Sequence, residues 1–117
     1  MRPSIMKVYA RQRHIPTSAR KLRRVINLIR GKKVLDAYAI LRSTPFAATT
    51  VVLAKLTEAV ASAHQQQGLA PQDLFVCEVC ADDGSTQKRF HPRAQGRVNM
   101  RQKRTCHISL AVSKQLA

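Results

Sequence analysis

Residues 84–104, GSTQKRFHPRAQGRVNMRQKR, carry seven Lys or Arg and no Asp or Glu, and two stretches that read as strands, residues 74–81 and 105–112, bracket them. That arrangement predicts a long hairpin arm over about residues 82–105. The arm's apolar residues are Phe90, Ala94, Val98 and Met100, with Pro92 and Gly96 near its middle, so it has no core of its own and needs another surface to order it. Seven positive charges in one short segment repel one another in water and are neutralised by phosphates. The expected partner is therefore RNA or DNA.

The rest of the charge follows the same logic. Of 117 residues, 21 are basic and 6 acidic, a formal net charge of +15. Residues 1–35 hold eleven basic residues and no acid, residues 36–83 hold two basic residues and all six acids, and residues 84–117 hold eight basic residues and none of the acids. A solvated surface intersperses its signs, whereas two basic ends around a mildly acidic middle suggest two binding surfaces with a scaffold between them. The length and the 44% hydrophobic content suit one domain over residues 1–117 with one core.

Taken in order, residues 5–13 alternate Lys7, Tyr9, Arg11 and Arg13 with Met6, Val8 and Ala10, the pattern of a strand with a basic face. Pro16 breaks it. Thr17 or Ser18 can cap a helix in which Leu22, Val25, Ile26 and Ile29 form one buried stripe, ended by Gly31 in a left-handed conformation. Its remaining directions carry Arg20, Lys21, Arg23, Arg24 and Arg30, and Lys32 and Lys33 follow Gly31. No acid sits three or four residues from these helix cations to pair with them, which favours a polyanion-binding face over a merely solvated one. A short helix is expected over residues 34–41 through Val34, Ala37, Tyr38 and Leu41. A long core helix follows, with Thr44 as N-cap, Pro45 in its first turn, a stripe of Ala48, Val52, Leu56, Ala59, Val60 and Ala63, and Gly68 as its end. Residues 74–81 are apolar enough for a central strand, and Cys106, Ile108, Leu110 and Val112 share one face of the last strand. The sum is an α+β fold, a three-stranded antiparallel sheet packed against about three helices with a long extended β-hairpin arm.

At this point the residues carry a resemblance. Ala19-Arg20-Lys21-Leu22-Arg23 leading to Ile29-Arg30-Gly31-Lys32-Lys33-Val34, and Lys88-Arg89 followed by Pro92-Arg93-Ala94, Gly96-Arg97 and Lys103-Arg104-Thr105 with His107-Ile108, resemble the large-subunit ribosomal protein family numbered twenty-two in bacteria over essentially the whole chain. The resemblance implies a body at the ribosome surface around the exit of the nascent-peptide tunnel and an arm that reaches inward to form tunnel wall. It implies large-subunit ribosomal RNA, neighbouring ribosomal proteins and the nascent peptide as partners, a monomer rather than a homo-oligomer, and a place in a bacterial or organellar ribosome. The RNA-binding residues expected on this basis are Lys7, Arg11 and Arg13 of the first strand, the seven cations of the first helix and its exit, and Lys88, Arg89, Arg93, Arg97, Arg101, Lys103 and Arg104 of the arm with His107 beyond it. Gln87, Lys88, Arg89, Phe90, His91, Pro92 and Arg93 are expected at the tunnel-lining apex.

Competing chemistries fare worse. Cys77 and Cys80 form a C-x-x-C, and Cys106-His107 could complete a zinc site. An offset of three inside an apolar strand points the pair to opposite faces, so thiols acting as small buried hydrophobes are expected instead and no metal or other cofactor. His107 alternates out of the core stripe toward solvent or RNA; His91 could stack on a base or stand exposed without a specific contact. The acids all fall in the middle segment and no nucleotide-binding glycine pattern or nucleophile constellation is present, so no enzyme is expected. No run of 18 apolar residues marks a membrane helix, the N-terminus lacks a secretory apolar region, and three cysteines fit a reducing compartment. The runner-up is a free-standing DNA or RNA binder, which would need a wedge at the arm tip, where Phe90 and Pro92 stand, or a spare apolar face for dimerisation.

Overall fold

The computed structural model describes residues 7–114. In chain order it contains β1 (Val8–Ile15), α1 (Ala19–Ile29), α2 (Val34–Ser43), α3 (Thr49–Gln67), a 3-10 turn at Pro71–Asp73, β2 (Phe75–Pro92), a second at Ala94–Gly96, and β3 (Val98–Ser113). The sheet is antiparallel with strand order β1-β3-β2, which confirms the expected α+β architecture and corrects one detail of it. The central strand is β3, and residues 74–81 belong to an edge. The apolar character of that edge has another source, the backbone of the α1 exit that covers it. Ile5 and Met6, expected to open the first strand, lie outside the described residues.

One face of the sheet carries the core. Val8, Ala10 and Ile15 of β1, Val76, Val79 and Ala81 of β2, and Cys106, Ile108, Leu110 and Val112 of β3 are buried against the helices. Above them α1 lies over β2, and α3 over β1 and β3. The α1 stripe of Leu22, Val25, Ile26 and Ile29 is fully buried, as are Val52, Leu56, Ala59 and Ala63 of α3. Each large aliphatic residue so removed from water contributes about 1.5–3 kcal/mol. Gly31 and Gly68 end α1 and α3 with φ of 77° and 66°, and the Gly68 N–H reaches the His64 carbonyl. The start of α3 departs from expectation. Thr44 is no N-cap, because its hydroxyl donates backward to the Ile40 carbonyl (2.7 Å) and closes the last turn of α2, so α3 begins only at Thr49. Pro45 belongs to the connection between the two helices.

The outer edge of β2 is closed in two stages. The Gly31 and Val34 N–H groups donate to the Val76 and Leu74 carbonyls, and the Val76 N–H donates to the Lys32 carbonyl, so the α1 exit serves as a fragment of a fourth strand. Cys77 is then an extra residue with no partner opposite, between the pairs Val76–Val112 and Glu78–Ala111. Such a bulge reverses which residues point their carbonyls outward. Beyond it the outward carbonyls are Val79 and Ala81, and two arginines take them: Arg30 donates to Val79 (2.7 Å), and Arg23 donates twice to Ala81 (3.1 and 3.0 Å). An open edge that would template pairing with another chain is thereby capped by charged donors.

Beyond the body, β2 and β3 continue as a two-stranded arm, paired without a break from Thr86–Arg104 to Pro92–Val98. Its tip is the segment from Arg93, whose N–H donates to the Arg97 carbonyl, through Gln95 and Gly96, both at positive φ. The arm stretches the molecule to 67 × 30 × 23 Å with a radius of gyration of 17.6 Å, against about 13 Å for a compact chain of this length. Two further bulges flank β3 where the arm leaves the body: Gly84 and Ser85 oppose the single residue Thr105, and Arg13 and His14 oppose the single residue His107. Gly84 is required there, since a Cβ at this position would stand 2.6 Å from the Thr105 hydroxyl, which is itself fixed by a hydrogen bond to the Ser85 carbonyl (2.6 Å). A two-stranded ribbon is marginal in water, and Arg89 directly opposes Arg101 across this one, like charges that destabilise the pair. In the free protein, amide hydrogen exchange is therefore expected to be fast at residues 87–101 and slow at residues 106–112, with protection of the arm appearing on addition of RNA; strong protection of the arm without RNA would refute this.

Candidate nucleic-acid interface

The cations expected to bind nucleic acid separate into two kinds once their partners are seen. Some belong to the protein's own structure. On the sheet face opposite the helices, Lys7 pairs with Glu78 (2.5 Å), the Tyr9 hydroxyl donates to the other Glu78 oxygen (3.3 Å), and Arg11 lies 4.5 Å from the centre of the Tyr9 ring. This chain of contacts crosses the central strand above Ala111 and accounts for the burial of that residue on the face opposite the helices. Hydrogen bonding between the two raises the Lys7 pKa and lowers that of Glu78, the opposed desolvation being smaller. Arg23 and Arg30 are held on the β2 edge, and Arg30 also donates to the Asn27 side chain (2.9 Å).

The others keep their donors free for a ligand or are oriented for one. Arg20, Lys21, Lys32 and Lys33 are exposed, as is Arg13 at the end of β1. The Arg24 guanidinium carbon lies 3.7 Å from the centre of the Phe46 ring, a cation–π contact that restrains the side chain without using its N–H donors in a hydrogen bond. On the arm Lys88, Arg89, Arg93, Arg97, Arg101, Lys103 and Arg104 are all exposed. Arg89 and Arg104 touch only the side chains of Gln87 and Gln102 and a neighbouring carbonyl.

The register divides the arm into two faces. Residues directly opposite share a face, so Lys88, Phe90, Pro92, Val98, Met100 and Gln102 lie on one side. Arg89, His91, Asn99 and Arg101 lie on the other, with Gln87 and Lys103 nearer the body. Phe90 is 79% exposed, and Val98 and Met100 are more than half exposed. The register also moves the apex. Gln87, Lys88, Arg89, Phe90 and His91 pair along the shaft, and of the seven residues expected at the tip only Pro92 and Arg93 border the turn, whose outermost residues are Ala94, Gln95 and Gly96.

Where arm and body meet, the surface is concave. An open cleft of about 1070 Å³ runs between the start of α1, the approach to α3 and the root of the arm. Lys21, Arg24, Lys103 and Arg104 line it together with His14, and no Asp or Glu does. Sequence reading missed His14, which sits beyond the last clear alternation of β1. Its φ is 59°, its N–H donates to His107 Nδ1 (3.1 Å), and the two rings meet edge to face with centroids 5.2 Å apart. His107 is thus half-buried at the elbow, turned out of the core as expected and hydrogen-bonded within the protein. The three thiols part company: Cys106 is buried on the helix side, where desolvation raises its pKa, Cys80 is exposed, and Cys77 contacts the Ala111 carbonyl at 3.4 Å from a half-buried position. The expectation of buried thiols therefore applies to Cys106 alone. Among the described residues no three His, Cys, Asp or Glu side chains are grouped to hold a metal ion.

Arg23→Ala and Arg30→Ala are each expected to cost about 1–2 kcal/mol in urea denaturation, because each leaves a strand-edge carbonyl without its charged donor. Arg20→Ala and Lys21→Ala should stay within about 0.5 kcal/mol of the parent while weakening RNA binding. Equal stability losses in all four would contradict this division.

The same chain pattern occurs in known proteins. Residues 10–113 match the family described as ribosomal protein L22p/L17e. A protein of Acaryochloris marina named large ribosomal subunit protein uL22 is 48% identical over 105 residues, 90% of this chain and 88% of its own length. Proteins of the same name from Synechococcus sp. (strain JA-3-3Ab) and Thermoanaerobacter sp. (strain X514) are 49% and 43% identical, over 86% and 93% of this chain and 81% and 98% of their own lengths. The match spans the buried stripes, the capped sheet edge and the cationic arm alike, and on that extent the chain belongs to the ribosomal protein L22p/L17e family.

Proposed function

We propose that this protein is a structural constituent of the large ribosomal subunit that binds large-subunit ribosomal RNA, aids assembly of the subunit, and lines part of the nascent-peptide exit tunnel with its hairpin arm. The observation that carries this reading is the arm itself, an exposed ribbon with seven cations, no acid and no core, attached to a body whose first helix is also cationic. Such a ribbon gains order from a polyanion that surrounds it. Family membership supplies the assembly to which that RNA belongs, and the relatives carry the name of a large-subunit protein. The partners are ribosomal RNA, neighbouring ribosomal proteins and, at the arm tip, the nascent peptide; the protein acts as a monomer, in a bacterial or organellar ribosome, and performs no catalysis.

The anchoring role belongs to Arg20, Lys21 and Arg24 on a rigid helix, and the tunnel role to the far end of the arm, from Phe90 to Arg97. Seven paired rungs at about 3.3 Å each, with the turn, carry that end roughly 25 Å past the elbow, enough to cross a layer of folded RNA. Affinity for large-subunit ribosomal RNA should fall steeply with salt, by about a thousandfold or more between 50 and 200 mM, and the protein should comigrate with the large subunit in a high-salt gradient. Replacing residues 92–98 by an Asn-Gly turn keeps the rungs below it paired while shortening the arm. Subunits should still take up that variant, with altered passage of particular nascent peptides or altered action of tunnel-binding drugs. Failure of this variant to incorporate, together with normal incorporation of a variant neutralised at Arg20, Lys21 and Arg24, would reverse the two assignments.

A further inference from the structure

We infer that the cleft at the elbow holds one continuous stretch of RNA sugar-phosphate backbone, gripped from the body by Lys21 and Arg24 and from the arm by Lys103 and Arg104, so that the two basic ends of the chain form a single binding site. The inference rests on the RNA-binding reading above and assigns it a place. Residues some 80 positions apart in sequence converge on one concavity, and no carboxylate enters its lining. Among the described residues the ion pairs are Lys7–Glu78 and Lys55–Glu58, so none of the four cations is held in a salt bridge; Asp83 shares a smaller recess with Arg104.

The chemistry of the lining suits a sugar-phosphate strand better than a small molecule. Its uncharged polar residues, Thr17, Ser18, Ser85, Gln87, Gln102 and Thr105, offer hydroxyl and amide groups of the kind that contact phosphate oxygens and 2′-hydroxyls. Drug-sized ligands prefer enclosed, mostly apolar pockets, whereas this cleft is open and sets four cations beside the apolar Pro16, Ala47, Ala48 and Val51. Lys21 and Arg24 stand three residues apart on one face of α1, and the Phe46 ring restrains the Arg24 guanidinium, which can make a bidentate phosphate contact. Lys103 and Arg104 are consecutive on β3 and point to opposite faces of the ribbon, and Arg104 also borders a smaller recess with Asp83, Thr86 and Gln102, so the two charges flank the arm root. The concavity arises from the paired bulges at Gly84–Ser85 and Arg13–His14, which bend the sheet between body and arm. A strand seated there fixes the angle of the arm as well as the position of the body.

The test uses the full-length protein and a transcript of large-subunit ribosomal RNA. Affinity as a function of salt and hydroxyl-radical footprints are compared for the parent, Lys21→Ala/Arg24→Ala, Lys103→Ala/Arg104→Ala, the fourfold variant, and a control, Lys32→Ala/Lys33→Ala, whose residues lie at the other end of α1 and outside the cleft. Circular dichroism confirms folding, and Gln replacements at the same positions stand in for any variant that fails to fold. Each cleft pair is expected to weaken binding by about tenfold or more and to lower the salt slope by about two. Both should erase protection of the same few consecutive nucleotides, and the fourfold variant should lose clearly less than the product of the two pairs. The control should combine independently with either pair. Additive losses, or footprints erased in separate RNA segments, would overturn the single site and leave the RNA-binding reading standing. Parental affinity and footprint in both cleft variants would also overturn it and give the cleft to another ligand, such as an acidic protein segment. If the parent itself fails to bind the transcript, the broader reading falls with it.

Discussion

The antiparallel pairing of β2 with β3 is the interaction on which the rest of this structure depends, because the same two strands supply most of the sheet's share of the core and all of the arm. Within the body β3 buries Cys106, Ile108, Leu110 and Val112 under α1 and α3, and past Thr105 the same strand carries only exposed residues. The arm is therefore an extension of the hydrogen-bonded ladder with no hinge loop between it and the body. Its root inherits rigidity from a strand that has neighbours on both sides, and its order declines toward a tip supported by one rung at a time. The bulges at Gly84–Ser85 and Arg13–His14 set the direction in which that ladder leaves the body.

A chain with so many cations must also decide which of them to use on itself. Arg23 and Arg30 close the edge of β2, and Lys7 and Arg11 lie over the open sheet face with Glu78 and Tyr9. These contacts make arginine an architectural residue here, with a planar set of donors that suits a strand carbonyl as well as it suits a phosphate. Their neighbours on the same helix, Lys21 and Arg24, point instead into a cleft free of acids. If the protein binds RNA as proposed, substitution at Arg23 and at Arg24 would change that binding for different reasons, one through the fold and one through contact.

The sequence made the element types, the apolar stripes of α1 and α3 and the existence of the arm legible, because each rests on periodicity or on end signals such as Gly31 and Gly68. What it concealed depends on register. One extra residue at Cys77 exchanges the carbonyls that face the β2 edge, and nothing in the order of residue types announces it. The division between Arg23 and Arg24 follows from that exchange. The tip was displaced for a related reason, since the only apolar alternation in residues 86–104, Phe90 and Pro92 against Val98 and Met100, is too short and too exposed to pin a register, and the two-against-one match at Gly84–Ser85 sets the fold-back at Ala94–Gly96. Thr44-Pro45 carries the composition of a helix start, yet the Thr44 hydroxyl bonds to the preceding helix and delays α3 to Thr49. The cleft was out of reach altogether, because it joins residues from both ends of the chain.

Folding sorts the signs in space as the sequence sorts them in order. The acids concentrate in the middle segment, where Glu78 and Glu58 already hold lysine partners, and none lines the cleft itself, although Asp83 lines the smaller recess beside it. Cations of the α1 face, the elbow and the arm are left to repel one another, Arg89 across from Arg101 most directly. In isolation that repulsion opposes the arm's marginal ladder. A polyanion reverses the sign of the same field, so that charges which loosen the free arm hold it in the complex. On the proposed reading, ordering of the arm and binding of RNA are then one linked equilibrium, in which each phosphate contact at the elbow would shift the population of a ribbon that its own residues leave close to balance.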